Sequence, residues 1–427
     1  MKIIDIKKED FKKYISLENN NISKIKKVVS EIIEDIKVNG DKALINYTKK
    51  FDNVEIRDFR VSIKEIKDSY KDVNEEFIEI LKKAIYNIEK FHNNQTINDF
   101  QYNTKNNSVM GQITTPIERV AVYIPGGKAI YPSTVLMNVI PAKIAGVKEI
   151  VIITPPNKLG KINSNILVAA DLLNIKEIYK IGGAQAIAAV AYGTETINSV
   201  NKIVGPGNIY VAEAKRQVFG IVDIDMIAGP SEILILADEE SNPKYIARDL
   251  LSQAEHDENA KPYLITNSEK IITETIKFIE KYINESKRKE ILETCINNNL
   301  LVFKVENIEE MFEISNYIAP EHLELLIKNP MEKLSKIANA GSIFIGEYSP
   351  EPVGDYFAGP NHTLPTSGTA KFSSPLGVYD FLKRSSYIKY SKEDFNENWE
   401  YISKFAETEN LFEHANSIKE RIEWIFT

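Results

Sequence analysis

Val120-Ala121-Val122-Tyr123-Ile124-Pro125-Gly126-Gly127 is the stretch whose reading decides the fold. Five apolar residues in a row, closed by a Pro-Gly-Gly turn, describe a strand buried on both faces that runs into a tight loop. A helical pattern over 135–144 follows, and then a second apolar run, Ile150-Val151-Ile152-Ile153. Ile178-Tyr179-Lys180-Ile181 and Ile203-Val204 repeat the figure, each leading into a Gly-rich turn and another helical pattern. Strand, turn and helix in alternation predict a parallel sheet with helices on both faces.

Toward the C-terminus a second series begins near Ile233-Leu234-Ile235-Leu236. It continues through a helix over 243–254, the strand Tyr263-Leu264-Ile265, helices within 268–296, and the strands Leu300-Leu301-Val302-Phe303 and Ser342-Ile343-Phe344-Ile345. Toward the N-terminus, Ile22, Ile25, Val29, Ile32, Ile33 and Ile36 recur at helical spacing before the stop signal Asn39-Gly40. A second helix is expected over 74–92, where His92 would cap the negative end of the dipole. The expected fold class is therefore α/β: two doubly wound, incomplete Rossmann-like parallel-sheet units, with a helical N-terminal region and a small helical C-terminal tail. The corresponding divisions are residues 1–118 packing on the α/β units, 119–235, 236–378 and the tail 379–427.

At 427 residues, with 43% hydrophobic and 27% charged residues, the chain is expected to form a soluble protein of two or three domains. A net charge of −8 and the lack of a basic, aromatic-rich patch argue against a nucleic-acid partner. No apolar run approaches the roughly 20 residues of a membrane span, and the first residues lack a signal-peptide pattern, so a cytoplasmic location is expected. The single cysteine, Cys295, rules out an internal disulfide and a Cys-rich zinc site.

Four of the five histidines follow residue 255, each beside a carboxylate or carboxamide. That distribution reads as one site assembled from distant segments, since histidine is both the commonest transition-metal ligand and the usual proton shuttle. In Gln253-Ala254-Glu255-His256 the spacing places Gln253 and His256 on one face at a helix end; a metal-ligand pair and a simple helix cap both fit. Pro320-Glu321-His322 reads as the first turn of a helix, with an ionised Glu321 and a neutral His322 suited to a general base. Residues 341–377 hold six glycines and five prolines, a long loop in which Asp355 and His362 can be brought to a common point. Gly182-Gly183-Ala184-Gln185 and Gly205-Pro206-Gly207-Asn208 occupy strand-to-helix turns, where backbone amides can face phosphate. No Gly-x-Gly-x-x-Gly fingerprint accompanies them.

Taken in order, these segments resemble histidinol dehydrogenase over nearly the whole chain. The resemblance is carried by residues 123–127, 182–186, 205–208, Ala228-Gly229-Pro230-Ser231-Glu232, 251–256, Pro320-Glu321-His322-Leu323 and the run from Gly354 to Thr366. It implies oxidation of L-histidinol to L-histidine through an aldehyde, in two successive NAD+-dependent steps at the end of histidine biosynthesis. One zinc per subunit would be held by Gln253, His256, Asp355 and His414. Substrate contacts would come from these four residues and from Ser231, His322, His362 and Glu409; cofactor contacts would come from Tyr123, Gln185 and Asn208. His322 would act as general base and Glu321 would activate water. The resemblance also implies a homodimer whose C-terminal tail, bearing Glu409 and His414, completes the partner's site. A zinc-dependent hydrolase, in which Glu321 or His322 activates metal-bound water, is the alternative from another class; it leaves the Gly-rich turns without a task.

Overall fold

The apolar run 120–124 forms the strand Arg119–Tyr123, buried along its length, at the centre of a five-stranded sheet. The computed structural model describes residues 1–8, 10–15, 22–126 and 130–426, so Gly127 of the expected turn lies outside the described residues. In spatial order the strands are Ile178–Lys180, Glu149–Thr154, Arg119–Tyr123, Lys202–Val204 and Asp223–Ile224, all parallel. Numbered along the chain, this is the 3-2-1-4-5 order of a doubly wound sheet, with its switch point between Arg119–Tyr123 and Lys202–Val204. Connections diverge at that point, which opens a crevice outside the carboxyl ends of the two strands.

A second, six-stranded parallel sheet runs Lys2–Asp5, Leu301–Lys304, Lys261–Thr266, Glu232–Ala237, His322–Leu326 and Ser342–Ile345. Without its N-terminal edge strand it is wound in the same 3-2-1-4-5 order. The helix Pro243–Ala254 matches the expected span, and Glu269–Glu285 and Lys289–Asn299 fill the helical stretch that follows.

The N-terminal helix Ile22–Asp52 breaks at Gly40, whose φ of 49° and ψ of −129° suit glycine alone. Its apolar face, Val29, Ile32, Ile33 and Ile36, packs into a core with Ala121, Tyr123 and Ile187 of the first sheet unit. The helix Glu75–His92, capped by Asn74, buries Leu81, Ala84 and Ile88 in the core that holds the opposite face of that sheet. His92 does not serve as a cationic cap. It is fully buried, its Nδ1 meets Gln95 Oε1 at 2.8 Å, and burial holds its pKa below the usual value.

Two compact units are present: residues 1–95 with 117–381, which carry both parallel sheets, and residues 96–116 with 382–427. The second contains an antiparallel sheet, Leu382–Lys389, Val109–Pro116 and Phe100–Asn103, and the helices Lys392–Thr408 and Phe412–Phe426. Strands thus occur within stretches read as helical at both ends of the chain. None of the described helices is long and apolar enough to cross a membrane.

Candidate active site

Pro320-Glu321-His322 does not open a helix. His322 begins the strand His322–Leu326, in register with Ile233 on one side and Ser342 on the other. Two neighbouring strands offer a full ladder of backbone partners, which outweighs the local preference of proline for a first helical turn. The consequence is positional. Ser231, Glu232, Glu321 and His322 all stand at the amino end of the second sheet, where two adjacent strands begin.

His322 Nδ1 lies 2.8 Å from the Glu232 carbonyl oxygen, which can only accept, so this nitrogen carries the hydrogen. Nε2 is buried without a hydrogen-bond partner and faces Asp355 Oδ1 at 3.7 Å. Glu321 Oε2 lies 3.6 Å from the ring and accepts from the Glu232 amide at 2.8 Å. Burial pushes Glu321 up to about 7, a rise that the neighbouring imidazole partly opposes. Burial alone would lower His322, but the charges of Glu321, Asp355 and Glu351 overcome it and push the imidazole up to about 10. The expectation of an intrinsically neutral His322 at a helix N-terminus is corrected accordingly: in the metal-free chain, its carboxylate neighbours favour the imidazolium.

Asp355 projects from a short helical stretch, 351–358, in the Pro/Gly-rich loop. Burial would raise its carboxyl, but the adjacent His322 imidazole and the charge of His362 hold it well below the usual range. His362 Nδ1 meets the Asp355 backbone oxygen at 3.1 Å, which sets the two residues side by side, and burial keeps the imidazole pKa low. Asn361 and Thr363 on either side anchor the loop to Met137 and Asn138 of the helix Pro132–Ala145. His256 lies just beyond the helix Pro243–Ala254, near Asp355 and His322, and burial lowers its pKa. Gln253, in the last turn of that helix, is buried with neither amide atom partnered. A cavity of about 400 Å³ runs from His256 and Tyr356 to Tyr131 and Ser133.

Sequence reading missed Glu351, Glu324 and Asp249. Glu351 is buried four residues before Asp355 and is pushed up to about 8 by burial and by the Asp355 charge. Ser252 Oγ donates to it at 3.2 Å, and its own amide donates to Glu324 Oε1 at 2.8 Å. Glu324 is raised by burial and by Asp249, and burial raises Asp249 to about 6. The i, i+4 spacing of Glu351 and Asp355 was the available signal, hidden among the many acidic residues of the chain. His322, Glu351 and Asp355 bring ligand atoms within 4.8 Å of one another. A buried cluster so rich in carboxylates must hold protons or a cation. The chemistry of the orphaned Gln253 amide, of His256, whose pKa burial lowers, and of the Asp355 carboxylate fits ligands for a divalent metal such as zinc. Glu409 and His414 lie in the other compact unit, both exposed.

Tyr123, Gln185 and Asn208 line one cavity of about 860 Å³ at the carboxyl ends of the first sheet. The Gly183 amide donates to the Tyr123 hydroxyl at 3.1 Å, and Asn208 caps the helix Ile209–Val218 through the amides of Tyr210 and Val211. The preceding turn is clamped from below. Lys215 Nζ donates to the Gly205 carbonyl at 2.9 Å and pairs with Asp225, which itself accepts from the Gly205 amide at 2.7 Å. Gly205 has φ +109°, and a side chain there would strike the Tyr123 carbonyl at 2.2 Å. Lys215→Met strands a buried Asp225 charge, so urea unfolding is expected to show a loss of about 3–5 kcal/mol. A loss below about 1 kcal/mol would mean that the clamp does not hold the turn.

Residues 16–422 match the family model described as histidinol dehydrogenase. The chain is 53% identical over 399 residues to a histidinol dehydrogenase of Clostridium acetobutylicum, covering 93% of each chain. It is 52% identical over 422 residues to one of Bacillus cereus, covering 97% of this chain and 98% of that one. The crystal structure of histidinol dehydrogenase from Elizabethkingia anophelis superposes with a TM-score of 0.94 at 41% identity, covering 100% of this chain and 99% of that chain.

Proposed function

The chain belongs to the histidinol dehydrogenase family, and on that premise we propose that it oxidises L-histidinol to L-histidine through the aldehyde, using zinc and two NAD+ in succession. The observation that carries this reading is the fixed tautomer of His322. Its Nδ1 hydrogen is committed to the Glu232 carbonyl, with Glu321 on that side of the ring, which leaves Nε2, facing Asp355, as the basic atom. Gln253, His256 and Asp355 would hold the zinc, joined by His414 from the tail of the partner in a homodimer. Ser231, His362 and Glu409 would contact the substrate, and Tyr123, Gln185 and Asn208 the dinucleotide. When bound, the metal supplies positive charge that orients the substrate and offsets the carboxylates now raising His322, while the nicotinamide accepts hydride.

In each oxidation the carbon gives up hydride and the oxygen gives up a proton. His322 Nε2 takes the hydroxyl proton of the alcohol as the carbon–oxygen double bond forms. The aldehyde must then add water across its carbonyl. Glu321, with a pKa near 7, is suited to take a proton from that water. The hydrate then loses its second hydride, and the product is the carboxylate. A thiohemiacetal route is disfavoured, because the Cys295 thiol is buried, hydrogen-bonded to the Ala260 carbonyl and pushed up to about 11.

The test is NADH formation from histidinol before and after chelation. Activity is expected to vanish on metal removal and to return with zinc, and His256→Asn is expected to lose metal content and turnover together. Full turnover in metal-free protein would overturn the metal's role, and an inert holoenzyme with histidinol would overturn the substrate.

A further inference from the structure

Asp52 is the only carboxylate among the described residues lining the 860 Å³ cavity at the carboxyl ends of the first sheet. It is the last residue of the helix Ile22–Asp52, and its Oδ2 is buried without a hydrogen-bond partner. Burial pushes its carboxyl up to about 6. A folded pKa above the unfolded value means stability that is present at low pH and is lost as pH rises through about 6. Above that pH the chain keeps an ionised group at a cost that no described hydrogen-bond donor offsets at Oδ2. A ligand in the cavity that donates to this carboxylate would offset that cost.

Doubly wound dinucleotide sites usually place an acidic residue about 20 positions beyond the first glycine turn, where it accepts from the ribose 2′-hydroxyl. The end of the second strand, where such a residue would stand, is occupied here by Thr154 and by Pro155-Pro156-Asn157-Lys158, which contain no carboxylate; Glu149 stands at the opposite end of that strand and pairs with Arg119. The Asn157 side-chain oxygen is taken by the amides of Leu159 and Lys161. Lys158 and Lys161 also line the cavity, and their charge would favour a phosphate. Only Asp52 is left to oppose one.

We propose that Asp52 supplies ribose selection from the N-terminal helix, its carboxylate accepting from the ribose hydroxyls of the dinucleotide and repelling a 2′-phosphate. This rests on the cofactor reading above and adds the residue that discriminates between nucleotides. The test is equilibrium binding of NAD+ and of NADP+ to the holoenzyme and to Asp52→Asn and Asp52→Ser, by titration calorimetry. Wild type is expected to prefer NAD+, and both variants to narrow that preference by about tenfold or more. Removing the unpaired charge should leave the melting temperature at pH 8 unchanged or raised, which separates lost selection from lost fold. An unchanged preference in variants of a wild type that binds NAD+ overturns the role of Asp52 alone. Failure of wild type to bind either nucleotide overturns both this role and the cofactor reading.

Discussion

Glu321→Gln is expected to slow oxidation of the aldehyde by about 10²–10⁴-fold while oxidation of the alcohol stays close to the parent rate. The substitution keeps size and keeps an oxygen that can accept from the Glu232 amide, so the amino end of the sheet retains its geometry. What it removes is a carboxylate pushed up to about 7, the group proposed to take a proton from water in the second step. His322→Gln should behave differently. With Nε2 as the proposed base wherever an oxygen gives up a proton, both oxidations are expected to fall by about 10²–10⁴-fold. Measuring each half-reaction alone, with histidinol in single turnover and with the aldehyde supplied directly, separates the two patterns. Equal damage to both steps in Glu321→Gln would end its assignment to water.

Mixed dimers give the second large effect. Subunits carrying His414→Asn and subunits carrying His256→Asn are each expected to be inactive. If the tail of one subunit completes the site of the other, a heterodimer collects both lesions in one site and neither in its twin. Activity then returns from nothing to one intact site per heterodimer. If the tail served its own subunit, every site would keep one lesion and the mixture would stay inactive. Inactivity in heterodimers verified by differential tagging would count against the shared site.

Much of this was readable in the residues because buried parallel strands announce themselves. Runs such as 150–153 and 233–236 have no polar alternation, and turn-forming residues follow each, Pro155-Pro156-Asn157 after the first and Ser241-Asn242-Pro243 after the second. The strands Phe100–Asn103, Val109–Pro116 and Leu382–Lys389 gave no such signal. They are largely exposed or half-buried and mix polar with apolar residues. Proline before Glu321 suggested a helix, yet 322–326 alternates in a way that long-range pairing with two neighbours turned into strand. The histidines of the site stood out by their rarity. Glu351, Glu324 and Asp249 did not, because a carboxylate becomes informative only once its burial is known.

The two sheets are wound alike, yet the proposed cofactor and catalytic residues stand at opposite ends of them. The first presents its cavity where strands finish, and the second gathers Ser231, Glu232, Glu321 and His322 where strands start. His322 is in register with Ile233 on one side and Ser342 on the other. Residues at the entrance are therefore held by the sheet itself, and the imidazole inherits the rigidity of two neighbouring strands. The turns that follow Ala237, Thr266 and Lys304 carry none of the site residues. In the second half of the chain, loop length and composition can drift at these exits without disturbing the chemistry at the opposite edge.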